Sequence, residues 1–443
     1  MIKDEQLPEL AAFRTLEANL PLWYTPKYGN LVVASGNDSH PIHRWFRFKE
    51  GFSADLLESV LSSLDIPRGR EQMLLDPFCG SGTTLLSAVN LREKGWNISG
   101  VGIEINPFIA FVARTKTNWF RISPKRMQAL GEAALATSKN ARIALPELTS
   151  ISEGRCISRA TSRRLIALRD LIMQKRSSSN RDAALLGIAA SIEPLSKVRK
   201  DGRALRLVSR PKLDFEATIR GKWQEIAFDV ASHMRPLPGT STISVVLGDG
   251  RIPQKSGILP NSIDLIVTSP PYPNNIDYTE VYKLELWIMG FVDSSEEFLA
   301  QRRRTVRSHP TSAALPEHSP FLSLLTARPV RDLLQPLLQR MERSTDVSMR
   351  RLLLGYCSDL FESLSNHFAV LRPGGHEVLV VGNSLHGSGN SAFLLPSDLL
   401  ITSLAPLIGF EVKTLNIARS LKRRLTGNHF LRESVVILRK PNA

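Results

Sequence analysis

An open α/β fold with a mostly parallel sheet is predicted for this chain by three passages from strand to loop. The apolar run Met73-Leu74-Leu75 ends in Asp76-Pro77-Phe78-Cys79-Gly80-Ser81-Gly82-Thr83-Thr84, and an apolar helix, 85–91, follows. A second run, 98–103, ends on Glu104; a third, 263–267, breaks into Thr268-Ser269-Pro270-Pro271-Tyr272. Short apolar runs closed by glycine or proline turns read as buried parallel strands, and their carboxyl ends line the ligand crevice of such sheets.

Composition narrows the class. Hydrophobic residues make up 42% of the chain and charged residues 22%, ordinary values for a soluble globular protein. No apolar run approaches the ~20 residues of a membrane span, so no membrane role is expected. The first residues, Met1-Ile2-Lys3-Asp4-Glu5, carry no apolar signal segment, which points to the cytoplasm. Cys79, Cys156 and Cys357 are scattered without metal-ligand spacing, so neither a zinc site nor a disulfide frame is expected. The formal net charge of +15 is concentrated: residues 121–240 hold 23 Lys and Arg against 11 Asp and Glu. A basic segment beside a near-neutral remainder suits a polyanion such as nucleic acid.

In chain order, residues 1–42 form an N-terminal arm with Trp23, Tyr24, Pro26, Tyr28 and Gly29 in a loop-like setting. Ser53 is placed to cap a helix reaching about residue 64, with Leu56, Leu57, Val60 and Leu61 at helical spacing. Gly80 and Gly82 would let a cofactor approach the backbone at the next helix N-terminus. Their spacing is neither the dinucleotide fingerprint nor a phosphate loop. Glu104, at the second strand's tip, can accept from ribose hydroxyls.

Residues 112–240 interrupt the alternation as a basic, mainly helical insertion, with helices over 161–175 and 181–192. Its basic stretch holds Lys197, Arg199, Lys200, Arg203, Arg206 and Arg210, candidates for phosphate contact. The strand 243–247 ends in Gly248-Asp249-Gly250. Two prolines after strand 263–267 cannot extend a ladder, so the chain leaves the sheet in a stiff turn. That turn offers a hydroxyl, unpaired carbonyls and an aromatic face, which suits a planar ring bearing an amine. Asn274, Asn275, Asp277 and Tyr278 continue it, and 281–291 reads as helix. A second insertion, 293–350, carries Arg302, Arg303, Arg304, Arg307 and His309 in a loop. The helix 352–371 leads to a strand, 377–381, that ends near Asn383 and Ser384. A helix over 396–407 and strands 410–415 and 434–438 close the chain, around a basic loop with Arg419, Lys422, Arg423 and Arg424.

The Asp76–Thr84 loop followed by Thr268-Ser269-Pro270-Pro271-Tyr272 resembles the amino-methylating DNA methyltransferases. The serine form of the second motif is most similar to the cytosine-N4 branch. The resemblance covers roughly 43–111 and 243–438 and implies a Rossmann-like class I methyltransferase sheet, mostly parallel with the last strand antiparallel. It divides the chain into a catalytic domain, 43–111 and 241–443, and the 112–240 insertion as target-recognition region. It implies S-adenosylmethionine as cofactor and double-stranded DNA as substrate, with a restriction or other defence system as the setting. Residue by residue, Phe52 and Ser53 resemble the segment closing over the cofactor's methionine part. Asp76, Phe78, Gly80, Gly82 and Thr83 match the loop at its amino-acid end, Glu104 the ribose acid and Asp249 the adenine-side acid. Ser269, Pro270, Pro271 and Tyr272 match the clamp on the target base, while Arg423 and Arg424 join the insertion's cations as nucleic-acid contacts. Adenine N6 is the alternative acceptor. RNA or protein amide methylation and a catalytically inactive DNA-binding module are the other readings.

Overall fold

The computed structural model describes residues 7–139, 143–200, 205–233, 242–274, 276–309, 315–316, 318–344, 347–387, 392–421 and 429–442. The first strands are β1 (Leu22–Tyr24), β2 (Gln72–Asp76), β3 (Ile98–Glu104), β4 (Val198–Lys200), β5 (Leu205–Leu207) and β6 (Ile243–Leu247). Then come β7 (Ile263–Thr268), β8 (Leu371–Gly382), β9 (Ser384–His386), β10 (Phe393–Leu395), β11 (Glu411–Ser420) and β12 (Arg432–Arg439).

The main sheet runs β1-β11-β12-β8-β7-β2-β3-β6. β12 is antiparallel to both its neighbours, β8 and β11, and the other pairs are parallel. Seven strands therefore end on one edge. From β2 the chain steps outward through β3 to β6, then returns to β7 on β2's other side, where Leu74 faces Leu265. The order thus reverses between β2 and β7, the place where an open parallel sheet leaves a crevice. The two loops singled out in the sequence are the ones that follow these strands.

Local chemistry sets the flanking helices. Asn106 caps the helix Pro107–Thr117 by accepting from the Phe108 and Ile109 amides, and Pro107 fills a first-turn position that needs no N–H donor. The insertion folds as helices Pro124–Ser138, Arg159–Met173, Ser179–Leu195 and Phe215–Ser232. Buried Trp223 donates to the Ala184 carbonyl at 2.9 Å, tying two of them together. The insertion's apolar side chains form one continuous cluster with Ile42, Trp45, Phe46 and residues around Tyr282–Val292, so it shares a core with the sheet domain.

Several expectations shift. Trp23 and Tyr24 lie not in a loop but in β1, which extends the sheet beside β11. The helix expected from Ser53 begins at Leu56, because Ser53 turns its hydroxyl to the Asp55 amide. Arg302, Arg303 and Arg304 close a helix, Ser295–Arg304, rather than a loop: Arg302 pairs with Asp277, and Arg307 pairs with Asp359. No described helix is long and apolar enough to cross a membrane.

Candidate active site

A cavity of about 320 Å³ opens over the β2–β7 reversal. Pro77, Phe78, Gly80 and Thr83 line it from the loop after β2, and Glu104 and Asn106 from the end of β3. Asp249 and Gly250 come from the end of β6, and Ser269, Pro270, Pro271 and Tyr272 from the turn after β7. The two sequence motifs therefore share one hollow. Its volume is that of a small-molecule site.

Asp76 joins the walls. Its buried Oδ2 accepts from Thr84 Oγ1 at 2.6 Å, and its Oδ1 accepts from Thr268 Oγ1 at 2.8 Å and the Phe78 amide at 3.2 Å. Burial pushes this carboxyl up to about 6, against the pull of the two threonine hydroxyls. Glu104 accepts from the Gly80 amide at 3.0 Å and the Asn106 amide at 2.8 Å, which aims the β3 tip at the glycine loop. Burial raises it to about 7, with those amides opposing and Asp76 adding to the rise. Each oxygen keeps a lone pair for a further donor, as a ribose diol requires.

Gly250 shows how closely the walls meet. A Cβ there would lie 1.7 Å from the Pro77 carbonyl oxygen, so the β6 loop presses directly on the β2 loop. Asp249 faces the cavity, yet its carboxylate is held by Arg251, with contacts of 2.7–3.1 Å. Phe52 lines the cavity, whereas Ser53 and Gly82, expected at the cofactor, are buried and not among the residues that line it.

On the turn after β7, the Ser269 hydroxyl donates to the Tyr272 phenol oxygen at 3.2 Å. The Tyr272 ring covers Gly382 at the end of β8, where a Cβ would come within 2.9 Å of it. Burial keeps the phenol well above its ordinary range and therefore neutral. Ser384 donates to the Pro273 carbonyl at 2.9 Å and so braces the turn, whereas Asn383 is buried in hydrogen bonds to Asp398 and the Phe430 carbonyl.

Sequence reasoning missed one wall. Phe48 lies over Gly80 and stacks on Tyr282 with ring centroids 5.8 Å apart, and Tyr282 donates to Glu50 at 2.8 Å. The preceding residues are clamped: Asp229 accepts from the Ile42 amide and the Trp45 indole, each at 2.9 Å. Lys116, buried and pulled down to about 7, donates to the His43 and Phe46 carbonyls. The aromatic run around Phe46 and Phe48 was the available signal.

The basic stretch of the insertion forms a hairpin, β4 and β5, beside this wall. Lys197, Arg199 and Arg206 are exposed. Lys200 is not: it is buried against Glu285, with its ammonium 4.5 Å from the Tyr282 ring centre, and cannot meet a phosphate. Arg210 is turned to the Glu193 and Val198 carbonyls. Arg203, Arg423 and Arg424 lie outside the described residues.

No family model matches the chain. The type II methyltransferase M.BsoBI of Geobacillus stearothermophilus is 25% identical over 458 residues, covering 93% of this chain and 88% of the relative. The type II methyltransferase M.AvaI of Nostoc sp. (strain PCC 7120) is 26% identical over 457 residues, with 93% and 89% covered. Among solved structures, TrmN from Thermus thermophilus aligns with 87% of this chain and 48% of its own, at 13% identity and a TM-score of 0.30. A superposition that loose adds nothing to the strand order. The β12 reversal, the paired strand-end loops and the near full-length similarity give the chain a Rossmann-like class I methyltransferase fold that uses S-adenosylmethionine as cofactor.

Proposed function

We propose that the chain methylates DNA, transferring a methyl group from S-adenosylmethionine to the exocyclic amine of a flipped-out base, with cytosine N4 as the acceptor. One observation carries the reading: the cofactor-type loop and the Ser-Pro-Pro-Tyr turn line a single cavity and are joined through Asp76 and Thr268. The type II methyltransferases similar along nearly the whole chain support it.

The donor set fits the cofactor. Glu104 would take the ribose hydroxyls, the Asp249–Gly250 wall the adenine end, and Phe78, Gly80, Thr83 and Phe52 the amino-acid end. When bound, S-adenosylmethionine would supply an electrophilic methyl group, its C–S bond breaking as the N–C bond forms, with one amine proton released to water.

The residues of this chain prepare the acceptor. A base amine is a weak nucleophile because its lone pair is delocalised into the ring. The Ser269 hydroxyl oxygen and the Pro270 carbonyl accept hydrogen bonds from its two N–H groups and favour a pyramidal nitrogen. Tyr272 stacks on the ring, and the flipped base replaces its lost neighbours with this contact. Positioning and charge placement of this kind carry the rate. The exposed Lys197, Arg199 and Arg206 hairpin stands next to the cavity wall and would meet the phosphate backbone. A type II setting would pair the chain with a nuclease in the cytoplasm.

Incubating the protein with S-adenosylmethionine and, in separate reactions, mixed-sequence DNA duplex and RNA, then digesting to nucleosides, tests the reading. N4-methylcytosine is the expected product. N6-methyladenine would move the acceptor while keeping the site, and methylated RNA with unmodified DNA would overturn the substrate.

A further inference from the structure

Behind the cavity wall lies a pair that the methyl-transfer chemistry does not use. His367, on the helix Val347–Val370, and Glu377, on β8, are both buried. His367 Nδ1 is 2.7 Å from Glu377 Oε1, and its Nε2 is 3.0 Å from the Gly250 carbonyl oxygen. The other carboxylate oxygen, Oε2, is buried without a hydrogen-bond partner among the described residues. The imidazole also stands 6.2 Å from the Phe78 ring, centre to centre. Its neighbours Gly250 and Phe78 both line the cavity.

The proton count fixes the direction of these bonds. A carbonyl can only accept, so Nε2 must carry a hydrogen. The proton between Nδ1 and Oε1 can sit on either atom, and Nε2 donates to Gly250 in both cases. With Glu377 ionised the ring is an imidazolium donating from both nitrogens; with Glu377 protonated it is the neutral form whose hydrogen is on Nε2. The carbonyl so held belongs to the residue that leaves no room for a Cβ against Pro77. A tilt of the Gly250–Arg251 peptide would therefore alter the contact between the β6 and β2 loops that line the cavity.

We propose that His367 is a positioning residue for the cofactor: with Glu377 anchoring its Nδ1, its Nε2–H holds the Gly250 carbonyl and sets the wall for the adenine end. The assignment rests on reading this cavity as the S-adenosylmethionine pocket.

Two substitutions separate the bonds. The amide nitrogen of glutamine is as many bonds from Cα as Nε2, and that of asparagine as many as Nδ1. His367→Gln therefore keeps the donor to Gly250, whereas His367→Asn keeps only the contact with Glu377. Binding of S-adenosylmethionine is measured by calorimetry, kcat at saturating cofactor on duplex DNA, and thermal unfolding in parallel. The expected result is a Kd within ~3-fold of wild type for His367→Gln and weakened ~10-fold for His367→Asn, the size of one lost hydrogen bond. Values of kcat stay within ~3-fold for both, a split between binding and turnover that general destabilisation does not produce. Equal Kd values for the two variants would overturn the proposal, as would a ~10-fold loss in His367→Gln should the asparagine variant not fold. Wild-type protein that binds no S-adenosylmethionine would instead remove the pocket reading itself.

Discussion

Asp76 and Thr268 are 192 residues apart in the chain and 2.8 Å apart in the fold, the threonine hydroxyl donating to the carboxylate. This bond fastens the end of β7 to the end of β2 and so ties the two halves of the cavity together. Thr268→Val keeps the shape and removes the donor. Leaving a buried acceptor short costs about 1–3 kcal/mol. Urea unfolding should show that loss, and Thr268→Ser should recover most of it.

Glu104 gives the pocket a pH dependence. Its carboxyl lies at about 7 in the free protein, raised by burial. Donors from a ribose favour the ionised form, so binding releases a proton and affinity rises with pH. Between pH 6 and 8, S-adenosylmethionine should bind up to ~10-fold more tightly, levelling off above the free-state value. Stability of the ligand-free protein runs the other way. The raised carboxyl contributes stability that is full below its unfolded value and lost as pH climbs through about 7. Glu104→Gln should flatten both curves; an unchanged binding profile in that variant would assign the titration elsewhere.

The turn after β7 should act on the acceptor and leave cofactor affinity alone. Ser269→Ala is expected to lower kcat by ~10²-fold or more, in the range seen when one preorganised hydrogen-bonding group is lost. Tyr272→Ala loses ~1–3 kcal/mol of stacking. Gly382→Ala should mimic it in part, because the added methyl would meet the Tyr272 ring at 2.9 Å. Separate equilibrium measurements with cofactor and with DNA check the division.

The hairpin offers a contrast between neighbours. Arg199 is exposed, and replacing it with alanine should reduce the salt dependence of DNA binding by about one phosphate contact. Lys200 is buried on Glu285. Lys200→Met strands a buried carboxylate, a loss of about 3–5 kcal/mol that would appear in the melting temperature.

What the sequence revealed was the part written in local chemistry. Asp76–Thr84 and Thr268–Tyr272 are short runs whose glycines and prolines dictate their turns, and β6 matches its expected span of 243–247. What it hid depended on distant partners. Lys200 and Arg199 are equivalent in a charge count, and only Glu285, far along the chain, makes one of them internal. Trp23 and Tyr24 carry no alternating pattern over three residues, and their strand exists because β11 offers an unpaired flank. Phe48 joins the cavity because Asp229 and Lys116, both on later helices, clamp the residues before it.

The border position of β1 has a practical side. Its three residues pair with Leu415, Asn416 and Ile417 and close what would otherwise be a bare row of amides and carbonyls. A shortened protein beginning at residue 43 would leave that row open to a neighbour's backbone, and such margins recruit strands from other molecules. Trimming the leader for crystallisation should therefore yield aggregates that sediment, even though every residue assigned to chemistry would still be in place.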